Sequence, residues 1–283
     1  KAAMYGFGRP GVIPLWAGEG NLPTPEAFCK PAAESLIKGE TFYTWQRGIP
    51  ELREALARYH TRHFGRDFSF ENFFVTGGGM QAIQLAFQMV AGSGTEVVVP
   101  SPAWPNFRGA IETTGARCVT VPMSPTADGW TLDLDTLFRA VGPKTRAIVI
   151  NSPSNPTGWT ATEAELKAIL DFTRKHGLWI IADEIYTRFH FAGGTAPSLQ
   201  HLQRPDDRIL FCQTFSKNWA MTGWRIGWLQ APAELGHTIE NLIQYNTSGV
   251  APFMQRAAIA AIEDGEPFVA EKIARAHEGR SIV

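Results

Sequence analysis

Apolar runs of strand length recur along the chain from residue 72 onward, at 72–76, 96–100, 117–122, 146–151, 178–183 and 209–214. Between several of them, at 80–90, 162–176 and 233–245, apolar positions return with helical spacing. Strands that read as nearly continuous apolar runs are covered on both faces. Their alternation with helices predicts an α/β fold built on a buried, mostly parallel sheet. Two earlier helices are predicted at 25–39 and 50–64, each opened by a proline, whose fixed φ and missing N–H suit the first helical position. Residues 1–24, rich in Gly and Pro, read as extended segments and turns. Ligands of such sheets bind at the carboxyl ends of the strands, and the side chains with chemical potential fall at those ends.

The most informative of these is Thr214-Phe215-Ser216-Lys217, followed by Arg225 within Gly223-Trp224-Arg225-Ile226-Gly227. A lysine between hydroxyls with an arginine shortly beyond suits a cofactor carrying both an aldehyde and a phosphate: the amine forms a Schiff base, while the hydroxyls and guanidinium hold the phosphate. That points to pyridoxal phosphate. Thr76-Gly77-Gly78-Gly79-Met80 follows a strand and opens a helix, where glycines let backbone N–H groups approach a phosphate; a plain tight turn reads the same. It is neither a Walker motif nor a dinucleotide GxGxxG. Trp104 offers a flat ring for stacking or for packing. Asn155, between Ser154 and Pro156, offers an amide from a long polar turn that turn chemistry alone would also explain. Asp183, at the end of an apolar strand, is costly to bury without a partner. A protonated pyridine nitrogen would be one, and a helix-capping role the other reading. Tyr186 is placed to reach the ring's phenolic oxygen, and Glu184 is expected to point elsewhere into a structural pair. Tyr43, ahead of a helix, suits either a phosphate or an interface.

Composition narrows the class. A net charge of −1 gives no electrostatic reason for a nucleic acid or membrane partner, and no apolar run approaches the ~20 residues of a membrane span. The three cysteines, Cys29, Cys118 and Cys212, are far apart and read as reduced thiols of a cytoplasmic protein. The seven histidines have no metal-ligand spacing. The chain starts without Met and stops inside a helical pattern, so both ends read as cut.

Taken in order, these segments resemble the class I/II aminotransferases of pyridoxal phosphate-dependent fold type I. The resemblance runs through Gly18-Glu19-Gly20-Asn21-Leu22-Pro23-Thr24-Pro25, Tyr43 to Arg53, Gly78-Gly79, Pro102-Ala103-Trp104, Asn155-Pro156-Thr157-Gly158, Asp183-Glu184-Ile185-Tyr186, Ser216-Lys217 and Arg225. It implies a three-layer α/β/α fold with residues 1–35 as the N-terminal segment of a small domain, 36–265 as the large cofactor domain and 266–283 as the start of an interdomain helix, the C-terminal small domain being absent. It implies a ping-pong transfer of an amino group from an amino acid to a 2-oxo acid, in a homodimer with shared active sites. Lys217 would carry the Schiff base and shuttle the proton. Asp183 would pair with the pyridine nitrogen, Tyr186 and Asn155 would bind the ring oxygen, and Trp104 would stack on the ring. Gly78, Gly79, Met80, Thr214, Ser216 and Arg225 would hold the phosphate. Tyr43 would reach the neighbouring subunit's phosphate, and Gly18, with Asn155, would meet the substrate; Trp16 and Leu22 would line its pocket or pack in the core. Two departures stand out. Phe107 occupies a position where relatives often carry His or Tyr, and no arginine here matches the family's carboxylate clamp, Arg275 and Arg280 included. A cofactor site without a complete substrate site is therefore expected. C–S lyases and cyclopropane-forming synthases share the fold and cofactor, and a non-catalytic homologue would share the cofactor site.

Overall fold

The computed structural model describes residues 9–13 and 18–282; Trp16 lies outside them. Nine strands are found among the described residues: β1 (Phe73–Thr76), β2 (Glu96–Ser101), β3 (Arg117–Pro122), β4 (Ser124–Thr126), β5 (Gly129–Thr131), β6 (Thr145–Asn151), β7 (Trp179–Asp183), β8 (Ile209–Thr214) and β9 (Gly227–Gln230). Seven of them form one sheet in the order β1-β9-β8-β7-β6-β2-β3, and β4 and β5 make a separate hairpin. The helices are α1 (Glu26–Ile37), α2 (Pro50–Phe64), α3 (Gly79–Val90), α4 (Asn106–Thr113), α5 (Leu134–Arg139), α6 (Glu163–His176), α7 (Phe215–Asn218), α8 (Gly236–Asn246), α9 (Pro252–Asp264) and α10 (Glu266–Ile282).

The central strands are apolar throughout because both faces are covered. Val97, Val149, Ile181 and Leu210 point to a core shared with α3, α4 and α8. Their neighbours Val98, Ile148, Ile180 and Ile209 point to the opposite face and meet Leu166, Ile169 and Leu170 of α6. Toward β1 that second face is covered instead by α2 and α9, where Leu52, Leu56, Ala257 and Ala258 pack on Phe73, Val75 and Trp228. Phe28 and Ala32 of α1 join this same cluster. The result is the expected three-layer arrangement. No helix among the described residues is long and apolar enough to cross a membrane.

The sheet is parallel across β3, β2, β6, β7 and β8. Beyond β8 it inverts twice: β9 runs antiparallel to β8, and β1 antiparallel to β9. Two inversions restore the direction, so β1 ends at the same edge as the parallel strands. Thr76 and Thr214 both register with Gly227, the first residue of β9, while Asp183 registers with Asn151 and Cys212. Four strand ends, those of β1, β6, β7 and β8, and the start of β9 thus converge on one rim.

Gly227 is fixed by that convergence. A Cβ there would lie 2.5 Å from the Gln213 carbonyl oxygen, 2.9 Å from the Gly78 carbonyl carbon and 3.0 Å from the Gly79 nitrogen. All three are backbone atoms, which cannot turn aside as a side chain can. Gly227→Ala should therefore cost about 2–3 kcal/mol, the upper range for overpacking. Denaturant unfolding would measure it, and a variant as stable as the parent would refute this account of the rim.

Candidate active site

The rim opens into a cavity of about 460 Å³ lined by, among others, Trp104, Asn155, Asp183, Tyr186, Lys217 and Arg225. At its floor lies Asp183. The strand Trp179-Ile180-Ile181-Ala182 carries it to the end of β7, where it is only 1% exposed. Among the described residues its carboxylate has a single long hydrogen bond, from the Ile185 amide at 3.4 Å. Burial pushes its pKa up to about 7, with the Ile185 amide and Lys217 only partly offsetting the lost hydration. A buried carboxylate this poorly paired is suited to a cationic ligand group. Glu184 turns away to accept hydrogen bonds from the Ser198 hydroxyl at 2.6 Å and the Leu199 amide at 3.1 Å. It points elsewhere into a structural contact, as expected, with two neutral partners.

Asn151 is the residue that pattern reading undervalued. Its amide donates to the Asp183 carbonyl at 3.1 Å, and its side-chain oxygen accepts from the Asn155 amide N–H at 2.7 Å. It locks the Asn155 turn onto the end of β7. The available signal was its place at the last position of a strand neighbouring Asp183.

On the opposite wall, Gly78 at φ 88° turns the chain from β1 into α3. That left-handed value favours glycine, and a Cβ there would lie 2.7 Å from the Arg225 guanidinium. A Cβ on Gly79 would lie 3.3 Å from the Thr214 Cβ. The N–H groups of Gly79 and Met80, in the first turn of α3, have no helical acceptor and face the rim with the positive end of the helix. The Thr214 hydroxyl caps α7, accepting from the Ser216 amide, and lies 2.9 Å from the Ser216 hydroxyl. Arg225, held left-handed at φ 51°, donates to the Thr222 carbonyl at 2.8 Å. Two amides, two hydroxyls and a guanidinium around one small space form an anion cradle.

Lys217 stands between floor and cradle, on the one-turn helix α7. Its Nζ donates to the Gly18 carbonyl at 2.5 Å and lies 6.0 Å from the centre of the Tyr186 ring. Burial lowers the pKa of this ammonium, with Glu19 and then Asp183 opposing and Arg225 assisting. The Tyr186 phenol is raised by burial and by Asp183. Trp104 presents its ring to the cavity with its edge set on Phe107, at 5.8 Å and 89°. Phe107, buried at 1%, supports the tryptophan.

The cavity therefore gathers Gly18, Gly79, Met80, Trp104, Asn155, Asp183, Tyr186, Thr214, Ser216, Lys217 and Arg225, with Gly78 directly behind the guanidinium. Gly18 turns its carbonyl to Lys217. Tyr43 is not brought in: it is 93% exposed on a segment with Phe42 and Trp45, away from this cavity. Glu19 and Thr222 line the wall without having been singled out from the sequence. An amine, a buried carboxylate and an anion cradle within one cavity fit an aldehyde-bearing, phosphorylated pyridine, and the residues present fit pyridoxal phosphate. No group of His, Cys, Asp and Glu suited to a metal ion occurs among the described residues.

Comparison with known proteins agrees with this geometry. Residues 10–282 match the family model described as "Aminotransferase class I and II". An aromatic-amino-acid aminotransferase 2 of Thermococcus litoralis is 36% identical over 275 residues, covering 96% of this chain and 70% of that protein. An aspartate aminotransferase of Pyrococcus horikoshii is 34% identical over 274 residues, covering 96% and 69%. The solved structure of N-succinyldiaminopimelate aminotransferase from Mycobacterium tuberculosis superposes with a TM-score of 0.88 at 32% identity, covering 93% of this chain and 70% of that one. A sheet that brings Lys217, Asp183 and the Gly78–Arg225 cradle to one rim and a match across nearly the whole chain lead to one conclusion: the chain belongs to the class I and II aminotransferases and is a pyridoxal phosphate-dependent aminotransferase.

Proposed function

We propose that amino-group transfer from an amino acid to a 2-oxo acid runs at the rim through Lys217, Asp183 and the Gly78–Arg225 cradle. The reading is carried by Asp183, a buried carboxylate at a strand end that, among the described residues, is held by one long amide hydrogen bond. When bound, pyridoxal phosphate supplies an electron sink for the charge that develops at the amino acid's α-carbon. Asp183 holds a proton on the ring nitrogen by ion pairing, which keeps that sink effective. Lys217 Nζ anchors the aldehyde and, once released, moves a proton at the α-carbon; its burial favours the neutral amine that both tasks need. Met80, Gly79, Thr214, Ser216 and Arg225 hold the phosphate, and Gly78 lets the guanidinium approach. Tyr186 and Asn155 bind the ring oxygen, Trp104 covers the ring face, and Gly18 and Asn155 border the substrate. Residues 36–265 serve as the cofactor domain, with 1–35 as the N-terminal segment of the small domain and 266–283 as the start of the interdomain helix.

Tyr43 belongs in this reading to the neighbouring subunit's site. Its exposure beside Phe42 at 82% and Trp45 at 66% supports an interface role, because a cluster of exposed aromatics is suited to burial by a partner. The functional unit is thus a homodimer with two shared sites.

Three outcomes follow. Mixed with pyridoxal phosphate, the protein should develop the visible band of lysine-bound cofactor, and a mixture of amino acids should bleach it. Lys217→Ala should show no band, and a band that survives this change would remove the assignment. Asp183→Asn should act in opposite directions on stability and function. With a folded pKa near 7 against 3.8 when free, Asp183 binds more protons folded than unfolded between those values. Stability therefore falls as pH rises through that window. The variant without cofactor should match the parent below pH 4 and be more stable above pH 7, by up to about 4 kcal/mol, while transamination drops at least about a hundredfold. Equal stability at pH 8 would contradict the burial argument. Tyr43→Phe should weaken cofactor binding about tenfold. Mixed dimers of Tyr43→Phe with Lys217→Ala should regain parental affinity in half their sites, and no recovery on mixing would refute shared sites.

A further inference from the structure

The chain around Gly18 is stitched to the loop that follows Lys217. The Thr222 hydroxyl donates to the Glu19 carboxylate at 2.8 Å, the Thr24 hydroxyl donates to the Ala220 carbonyl at 2.6 Å, and the Trp224 indole N–H donates to the Thr24 hydroxyl at 2.9 Å. Lys217 Nζ closes the series on the Gly18 carbonyl. A Cβ on Gly18 would lie 3.3 Å from that nitrogen, so the strap rests directly on the amine. Residues 18–24 thus cross the mouth of the cavity as a strap fastened at both ends.

Among the described residues, five groups carrying or able to carry charge face Lys217, each from a different element. Asp183 comes from β7 and Tyr186 from the loop after it. Arg225 lies on the loop ahead of β9, Lys272 of α10 donates to the Lys217 carbonyl at 2.6 Å, and Glu19 sits on the strap. Arg225 and Lys272 are cationic and the phenol is neutral, leaving Asp183 and Glu19 as the anions. On the reading above, on which this inference rests, Asp183 is committed to the ring nitrogen.

We propose that Glu19 is a positioning residue for Lys217: hooked on the Thr222 hydroxyl, it seats the Gly18 carbonyl on the amine and sets its own carboxylate beside it. The hook serves the free lysine. It gives the ammonium an acceptor and a counter-charge at the mouth of the site, away from Asp183, and so sets the fraction of Lys217 that is neutral and able to react. Glu19 opposes the burial that pulls the Lys217 pKa down. Because Glu19 is exposed to solvent, its effect is modest.

The test is trace acetylation of the cofactor-free protein across pH 6 to 11, with the Lys217 peptide quantified by mass spectrometry. Glu19→Gln keeps an acceptor for Thr222 and removes the charge. It should lower the labelling midpoint of Lys217 by about half a unit, raising the neutral amine about threefold at a fixed pH below it. Thr222→Val, which keeps the carboxylate but removes the hook, should move the midpoint in the same direction, and Thr222→Ser should restore it. A midpoint unmoved in Glu19→Gln overturns the proposal. So does a shift in Glu19→Gln with none in Thr222→Val, since the charge would then act without the hook. Borohydride trapping of pyridoxal phosphate in the parent protein separates this from the underlying reading. An adduct on a lysine other than Lys217 sinks the reading itself, whereas an adduct on Lys217 with unmoved midpoints sinks only the role of Glu19.

Discussion

Burying Asp183 is the constraint around which the rest of the site is arranged. A carboxylate almost sealed from water at the end of an apolar strand is unfavourable in its charged form. Among the described residues the fold does little locally to relieve this, giving the carboxylate one long amide hydrogen bond and no salt bridge. What it does is hold the backbone at that point in place. The Asn151 amide grips the Asp183 carbonyl, as does the Ser152 N–H at 3.2 Å. The strand end is rigid while its charge waits for a ligand. A site of this kind is less stable empty than a neutral one would be, the usual relation between a strained functional group and the scaffold that carries it.

The sheet order explains how the other groups come to meet that carboxylate. In a wholly parallel sheet the glycine turn and the arginine would have to arrive on separate crossovers. The antiparallel β9 lets Arg225 enter at the rim immediately before its strand begins, and the second inversion returns β1 with its glycine turn to the same rim. The cost is crowding: three backbones converge at Gly227, and Gly78 must leave room for a guanidinium. These two glycines exchange conformational freedom for approach distances no side chain would permit.

Much of this was legible in the sequence, and unevenly so. Strands β1, β2, β3, β6, β7 and β8 could be read because each is a run of apolar residues bounded by polar ones, the pattern that two covered faces impose. Lys217, Asp183 and the glycine turn could be read because each sits where such a run ends. β9 was not, since Gly227–Gln230 opens inside a motif already rich in chemical signals. Helix α9 and the short α4 and α5 were likewise not singled out; α9 is alanine-rich, and its buried face becomes evident only against Leu52 and Phe28. Asn151 and Thr222 escaped for a different reason. Each acts by a hydrogen bond to a residue distant in sequence, Asp183 for one and Glu19 for the other, and single-chain periodicity carries no information about such pairs.

The strap and α10 give Lys217 a setting that differs from that of Asp183 in one respect. Asp183 is held by a sheet, through ladder bonds shared with neighbouring strands. Lys217 is held by the N-terminal strap on one side and by Lys272 of α10 on the other. Helix α10 is in turn pinned at its first residue, where Glu266 pairs with the buried Arg188. A group that must give up a hydrogen bond, react and move a proton is better served by contacts that can be released one at a time than by a cooperative sheet. The site therefore divides into a fixed half, Asp183 with Asn151 and the glycine cradle, and a releasable half, Lys217 with Gly18, Glu19 and Lys272. The division coincides with the boundary between the sheet and the two segments that pack across its rim.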